Sequence, residues 1–128
     1  LFDADRNGGY SIKLKEAIFE TRLHRLLRPK RHGGFGLGYG TLAEVARTVA
    51  QHMPGAWVTS FMSLHEGWVA LLPPAGREEI FATDEFVADI FFPIGKAEIV
   101  PGGVRLSRQW NQGSGIDFCG WIGLGGHY

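Results

Sequence analysis

The sequence predicts an α+β chain in which helices come first and strands second. Three observations carry this. Apolar residues recur at helical spacing up to Pro73-Pro74, and β-branched and aromatic residues punctuated by glycine and proline take over from Phe86. Between two of those later runs stands Pro101-Gly102-Gly103, a turn sequence in which glycine permits positive φ and which reads as a hairpin. The boundary falls near Thr83, giving a helical domain over 1–82 and a partial β domain over 83–128.

The first helix is expected over Ser11–Leu27, with Ser11 as cap, Leu14, Ala17, Ile18, Leu23, Leu26 and Leu27 near helical spacing, and Pro29 as the stop. Arg28–Gly40 is basic and then glycine-rich, so it reads as a loop. Thr41 opens the next helix, with Glu44 completing a capping box and Leu42, Val45, Ala46, Val49, Ala50 and Met53 forming one apolar face. After Pro54-Gly55, the stretch Ala56–Leu72 is apolar nearly all round. Trp57, Phe61, Leu64, His65, Trp68 and Leu72 lie on one side and Val58, Met62 and Val69 on another, the pattern of a helix buried between layers. Pro73-Pro74 ends it, and Ala75–Phe81 adds a short helix. Phe86–Phe92, Ala97–Val100, Val104–Trp110 and Phe118–Leu124 read as strands.

Composition narrows the function classes. Hydrophobic residues make up 45% and charged residues 20%, enough for a packed core. Thirteen Lys and Arg balance thirteen Asp and Glu, which leaves no basic field for nucleic acid or an anionic membrane and favours a small or neutral partner. His65, Glu66 and the prolines break every apolar run short of the roughly 20 residues of a membrane span. With Cys119 alone no internal disulfide can form, and a reducing, cytoplasmic setting is the simpler expectation. The chain opens at Leu1 without a signal-like segment and stops just after an apolar run, so both ends read as cuts.

Several motifs imitate known sites. Asp3, Asp5, Asn7 and Gly8 match the first half of a calcium loop, but the twelfth position is Leu14 rather than a bidentate Glu, so a solvated turn is expected. Gly38-Tyr39-Gly40 imitates a dinucleotide fingerprint without the preceding buried strand. His24, His32, His52, His65 and His127 lack zinc spacing, so no metal is expected. Ser114 between Gly113 and Gly115 is followed by no helical sequence, unlike a nucleophile elbow.

The informative constellation is distributed. Leu27-Arg28-Pro29-Lys30-Arg31-His32-Gly33-Gly34 followed by a helix carrying Glu44-Val45 resembles the acyl-CoA dehydrogenase superfamily. Ala56-Trp57-Val58-Thr59-Ser60-Phe61 through His65, Phe92-Pro93-Ile94-Gly95-Lys96-Ala97, Pro101-Gly102-Gly103-Val104-Arg105-Leu106-Ser107, then Trp110 and Gly113-Ser114-Gly115, are similar to its two-component branch that hydroxylates phenols with reduced flavin. The likeness spans nearly the whole chain from about Asp5; at Ser107-Arg108 the family commonly has glycine directly after the serine. The resemblance implies a truncated acyl-CoA dehydrogenase fold: an amino-terminal helical domain and the start of an antiparallel, β-barrel-like flavin-binding domain. It further implies FMN or FAD in the reduced state, dioxygen, an aromatic substrate, a separate flavin reductase, and a homotetramer completed by a carboxy-terminal helical bundle.

Trp57 and His65 stand eight residues apart, just over two helical turns, and project from nearly the same face. The resemblance puts them in the flavin pocket with His65 as the catalytic hydrogen-bond donor, whereas the residues alone favour a buried histidine satisfied by backbone. Phe92, Pro93, Gly95, Trp110, Ser114 and Gly115 are the other flavin-contacting candidates, Ser114 through its hydroxyl and the glycines through close backbone approach. Their plainer reading is a strand end and β-turns. An acyl-CoA dehydrogenase and a non-catalytic calcium- or protein-binding module remain as alternatives.

Overall fold

The computed structural model describes residues 11–52, 57–111 and 113–128; the side chains at 14 and 57–61, and the calcium-loop positions Asp3, Asp5 and Asn7, fall outside that description. The chain divides into two compact units, Leu1–Asp84 and Glu85–Tyr128.

In the first unit, α1 covers Ile12–Thr21. It ends well before Pro29, because Arg22 takes a left-handed φ of 55°. Thr21 holds that break: its Oγ1 donates to the Ile18 carbonyl at 2.6 Å and accepts from the Leu23 amide at 3.2 Å. A 3-10 turn, Leu23–Arg25, then replaces the expected last turns of helix. Helix α2, Tyr39–Ala50, begins earlier than expected, from Gly38 in an extended conformation and without a side-chain cap. The expected capping box is therefore not formed: Thr41 lies inside the helix, and the Glu44 carboxylate accepts from Arg47 at 2.9 Å.

Helix α3, Trp57–Val69, follows, and α4, Pro74–Ala82, starts on Pro74, whose missing amide costs nothing in a first turn. Thr83 closes α4 by donating its hydroxyl to the Ile80 carbonyl at 2.8 Å. Among the described residues of this unit, Ile18, Leu26, Leu42, Met62, Val69 and Phe81 are the buried apolar ones. Among the described side chains of α3 the expected all-round burial is incomplete: Met62 and Val69 are buried, but Trp68 is 47% exposed and Leu72, just beyond the helix, is exposed too.

The second unit is a three-stranded sheet in the order β2-β1-β3. Strand β1 runs unbroken over Phe86–Val100, where two strands were expected. Pro93 is tolerated inside it because it sits in the register break between Ile90 and Gly95, where no ladder hydrogen bond is asked of it. The expected hairpin forms: β2, Gly103–Ser107, returns antiparallel to β1 through a turn in which Gly102 has φ 87°, pairing Val100 with Gly103 and Lys96 with Ser107. It stops short of Trp110. Strand β3, Cys119–His127, pairs with the other edge of β1 in parallel, Phe86 with Cys119 and Ile90 with Leu124. The sheet is thus mixed and not purely antiparallel. The reason lies in the connection, residues 108–118, which is long enough to cross from one edge of β1 to the other, as parallel neighbours require.

Candidate functional site

Helix α3 carries a buried polar cluster in an otherwise apolar stretch. Ser63, His65 and Glu66 are all buried, His65 to 1% exposure. Glu66 receives both forks of the equally buried Arg28: the guanidinium Nε donates to Oε2, and Nη2 donates to Oε1 at 2.7 Å. The Arg28 guanidinium also lies 4.9 Å from the centroid of the Phe81 ring, whose centroid is 4.8 Å from that of His32. Burial pushes the Glu66 carboxyl above its ordinary range, against the opposing pull of the Arg28 hydrogen bonds and charge. The paired geometry is that of an ionised carboxylate held by a bidentate arginine.

The backbone around Arg28 is clamped. The Gly36 amide donates to the Arg28 carbonyl at 2.9 Å, and the Phe35 and Leu37 amides donate to the Arg25 and Leu26 carbonyls at 3.0 and 2.8 Å. Gly33, at φ 77°, turns the chain back to make this possible. On the α3 side, Gly67 lets Leu27 and Tyr39 approach: a Cβ there would stand 3.2 Å from Leu27 Cδ1 and 3.6 Å from Tyr39 Oη. Nearby, His24 is fully buried, stacked on Phe19 at 5.1 Å, and its pKa falls to about 3 through burial, then through Arg25, Arg28 and Arg22. It is a neutral core histidine.

Of the expected site residues, His65 and Trp57 both sit on α3, with the Trp57 side chain outside the described residues. The others belong to the second unit. There Gly95 and Trp110 are brought together: a Cβ on buried Gly95 would stand 2.6 Å from Trp110 Cζ2 and 2.9 Å from both the Gly125 carbonyl and Leu106 Cδ1. Packing alone accounts for that glycine. Phe92 and Pro93 contact Gly125 through their backbone, where a Cβ on Gly125 would meet the Phe92 carbonyl at 2.9 Å, while the Phe92 side chain is 74% exposed. Ser114 is exposed in a turn closed by the Ile116 amide donating to the Gly113 carbonyl at 3.0 Å, and Gly115 takes φ 80°. The buried Nε1 of the half-buried Trp110 indole has no hydrogen-bond acceptor among the described residues.

Arg28 and Glu66 were not among the expected site residues. The available signal was Glu66 itself, an acid inside an apolar helix, which implies a buried cationic partner.

No model of a protein family matches the chain. Individual proteins do. The oxygenase subunit HsaA, a flavin-dependent monooxygenase of Rhodococcus jostii (strain RHA1), is 29% identical over 114 residues, which are 87% of this chain and 30% of HsaA. A pigment production hydroxylase of Rhodococcus erythropolis is 33% identical over 104 residues, 79% of this chain and 26% of the hydroxylase. The crystal structure of 3-HSA hydroxylase from Rhodococcus sp. RHA1 superposes with a TM-score of 0.84 at 27% identity, covering 91% of this chain and 31% of that one.

The chain is homologous to flavin-dependent monooxygenase oxygenase components. It spans less than a third of the length of these relatives. The likeness to the solved hydroxylase takes in nearly all of the chain, helices and strands alike.

Proposed function

We propose that this chain supplies the helical domain, ending near Thr83, and the opening of the β domain of an oxygenase component that hydroxylates an aromatic, phenolic compound with reduced flavin and dioxygen. The joint likeness in sequence and in fold to oxygenase components carries this reading. On the same reading a separate reductase delivers reduced FMN or FAD, the β domain closes into a barrel-like body, and the whole protein is a cytoplasmic homotetramer.

The residues present suit a flavin. Trp110 offers an indole donor lacking an acceptor among the described residues, Phe92 an exposed ring beside Pro93, and the turn at Ser114-Gly115 an exposed hydroxyl on backbone that a flat ring can approach. Gly95 keeps Trp110 close to β1. Bound flavin supplies the redox chemistry with dioxygen. On this reading His65 donates a hydrogen bond toward the reacting centre, Trp57 is the pocket-lining residue that the resemblance implies, and a closed pocket excludes the water that diverts oxygen to hydrogen peroxide.

The experiment is to purify the full-length protein, add chemically reduced FMN or FAD under air with phenol, p-cresol and resorcinol, and look for hydroxylated product. His65→Ala should raise peroxide release relative to product. Oxidation of an acyl-CoA instead, with no hydroxylation, would favour the dehydrogenase alternative. Residues Leu1–Tyr128 alone should give peroxide and no hydroxylated product; stoichiometric hydroxylation by them would overturn the reading.

A further inference from the structure

We propose that the buried Arg28–Glu66 pair is a positioning device for His65, fixing the roll of α3 about its own axis. The proposal rests on the reading that His65 lines the flavin pocket. Three consecutive residues of α3 carry the argument. Glu66 is tied by two hydrogen bonds to Arg28, and Gly67 faces Leu27 and Tyr39 closely enough that an added Cβ would stand 3.2 Å from Leu27 Cδ1 and 3.6 Å from Tyr39 Oη. His65 precedes them by one and two positions, so a rotation of the helix that displaced His65 would have to break the bidentate pair and open the Gly67 contact.

The anchor does not give way easily. Gly34 packs on the Arg28 backbone, where a Cβ would fall 2.1 Å from the carbonyl oxygen, the Gly36 amide holds that same oxygen at 2.9 Å, and Phe81 supports the guanidinium from its ring face. A buried ion pair is a poor source of net stability, because desolvation offsets much of the attraction, but it enforces geometry, since an acid left without its partner inside the protein is strongly disfavoured. A fork of two parallel hydrogen bonds fixes direction as well as distance. Catalytic groups need such support, since small displacements are costly in rate.

The test is a double-mutant cycle in the full-length protein with Glu66→Gln, His65→Ala and the two combined. Two quantities are read: affinity for FMN and FAD by quenching of flavin fluorescence, and the ratio of hydroxylated product to peroxide on phenol, p-cresol and resorcinol. Glu66→Gln should depress one or both by roughly tenfold, as His65→Ala does, and the combined variant should be no worse than His65→Ala alone. A residue that matters only for folding would give additive losses instead. Because Glu66→Gln can unfold the protein, the paired replacement Arg28→Met with Glu66→Leu serves as the second variant; it removes both charges while keeping apolar volume, and should melt near the parent temperature yet show the same non-additive loss.

Additive losses overturn the proposal and leave the site reading standing. So does an unchanged affinity and product ratio in a folded Glu66 variant when His65→Ala is impaired. An inert His65→Ala overturns the site reading and the proposal with it. Failure of both Glu66 variants to fold would make the pair's role one of stability and end the proposal.

Discussion

Gly34 lies so close to Arg28 that a Cβ placed on it would stand 2.1 Å from the Arg28 carbonyl oxygen and 2.4 Å from the Arg28 Cβ. The obstacle is backbone as well as side chain, so it cannot swing away. Gly34→Ala should therefore destabilise the helical unit by roughly 3 kcal/mol or more, an overpacking and strain penalty at the upper end for a single substitution. Urea unfolding followed by circular dichroism checks this; a midpoint within error of the parent would show that the turn at Gly33–Gly36 relaxes freely.

His24 makes the helical unit sensitive to acid. The unfolded chain takes up a proton near the ordinary value of 6.5, whereas the folded chain refuses it until about 3. Stability is thus unaffected by this group above about pH 6.5 and is lost as pH falls from there toward 3, by on the order of a few kcal/mol across the window. Glu66, pushed up by burial, acts in the opposite sense, favouring the folded state while protonated and losing that contribution as pH rises above 4.5. Comparison of the parent with His24→Gln isolates the histidine: the variant's stability should decline less between pH 6.5 and 4.5 in equilibrium unfolding. Parallel profiles would remove His24 from this role.

Gly95 and Trp110 form the corresponding close contact of the second unit. Gly95→Ala should displace the indole, since the added methyl would stand 2.6 Å from its Cζ2 and 2.9 Å from the Gly125 carbonyl. The expected result is a loss of about 1–3 kcal/mol with a red-shifted tryptophan emission. Emission unchanged in a folded variant would place the adjustment elsewhere.

Phe92 separates folding from binding. At 74% exposure, its replacement in Phe92→Asp should change the stability of the chain by no more than about 0.5 kcal/mol. In the full-length protein the same change should weaken flavin binding by roughly tenfold, the cost of about 1.4 kcal/mol of lost contact. Equal flavin affinity of parent and variant would take Phe92 out of the cofactor surface.

What was legible in the sequence was what neighbouring residues decide. Pro73-Pro74 divides α3 from α4, and Pro101-Gly102-Gly103 makes the hairpin, because proline and glycine act through their own dihedrals. The early stop of α1 was hidden, since it depends on Arg22 adopting a conformation that its type does not advertise. Long-range pairings were hidden for a different reason: periodicity says that β3 is a strand but not which edge it takes or in which sense. The Arg28–Glu66 pair, joined across loop and helix, is of the same kind, announced only by the isolation of an acid in an apolar run. Trp110 was expected at the end of a strand; the chain leaves the ladder at Ser107 so that the indole can lie against Gly95.

The opposite senses of the two strand pairings give the sheet an order of assembly. The Val100–Gly103 pairing closes across a two-residue turn, whereas the Phe86–Cys119 pairing must first gather the whole of β1, β2 and the crossing segment. Hairpin closure belongs to the microsecond scale, and the entropy of the longer closure is repaid only once β3 has docked. Of the two neighbours of β1, β3 is therefore the later to dock. Until it does, the edge of β1 that it will occupy carries unpaired amides and carbonyls beside Phe86, Val87 and Ala88, an apolar template open to any extended peptide within reach. Destabilising substitutions in β3 should speed unfolding and leave the folding rate nearly unchanged, while those at the hairpin turn slow folding.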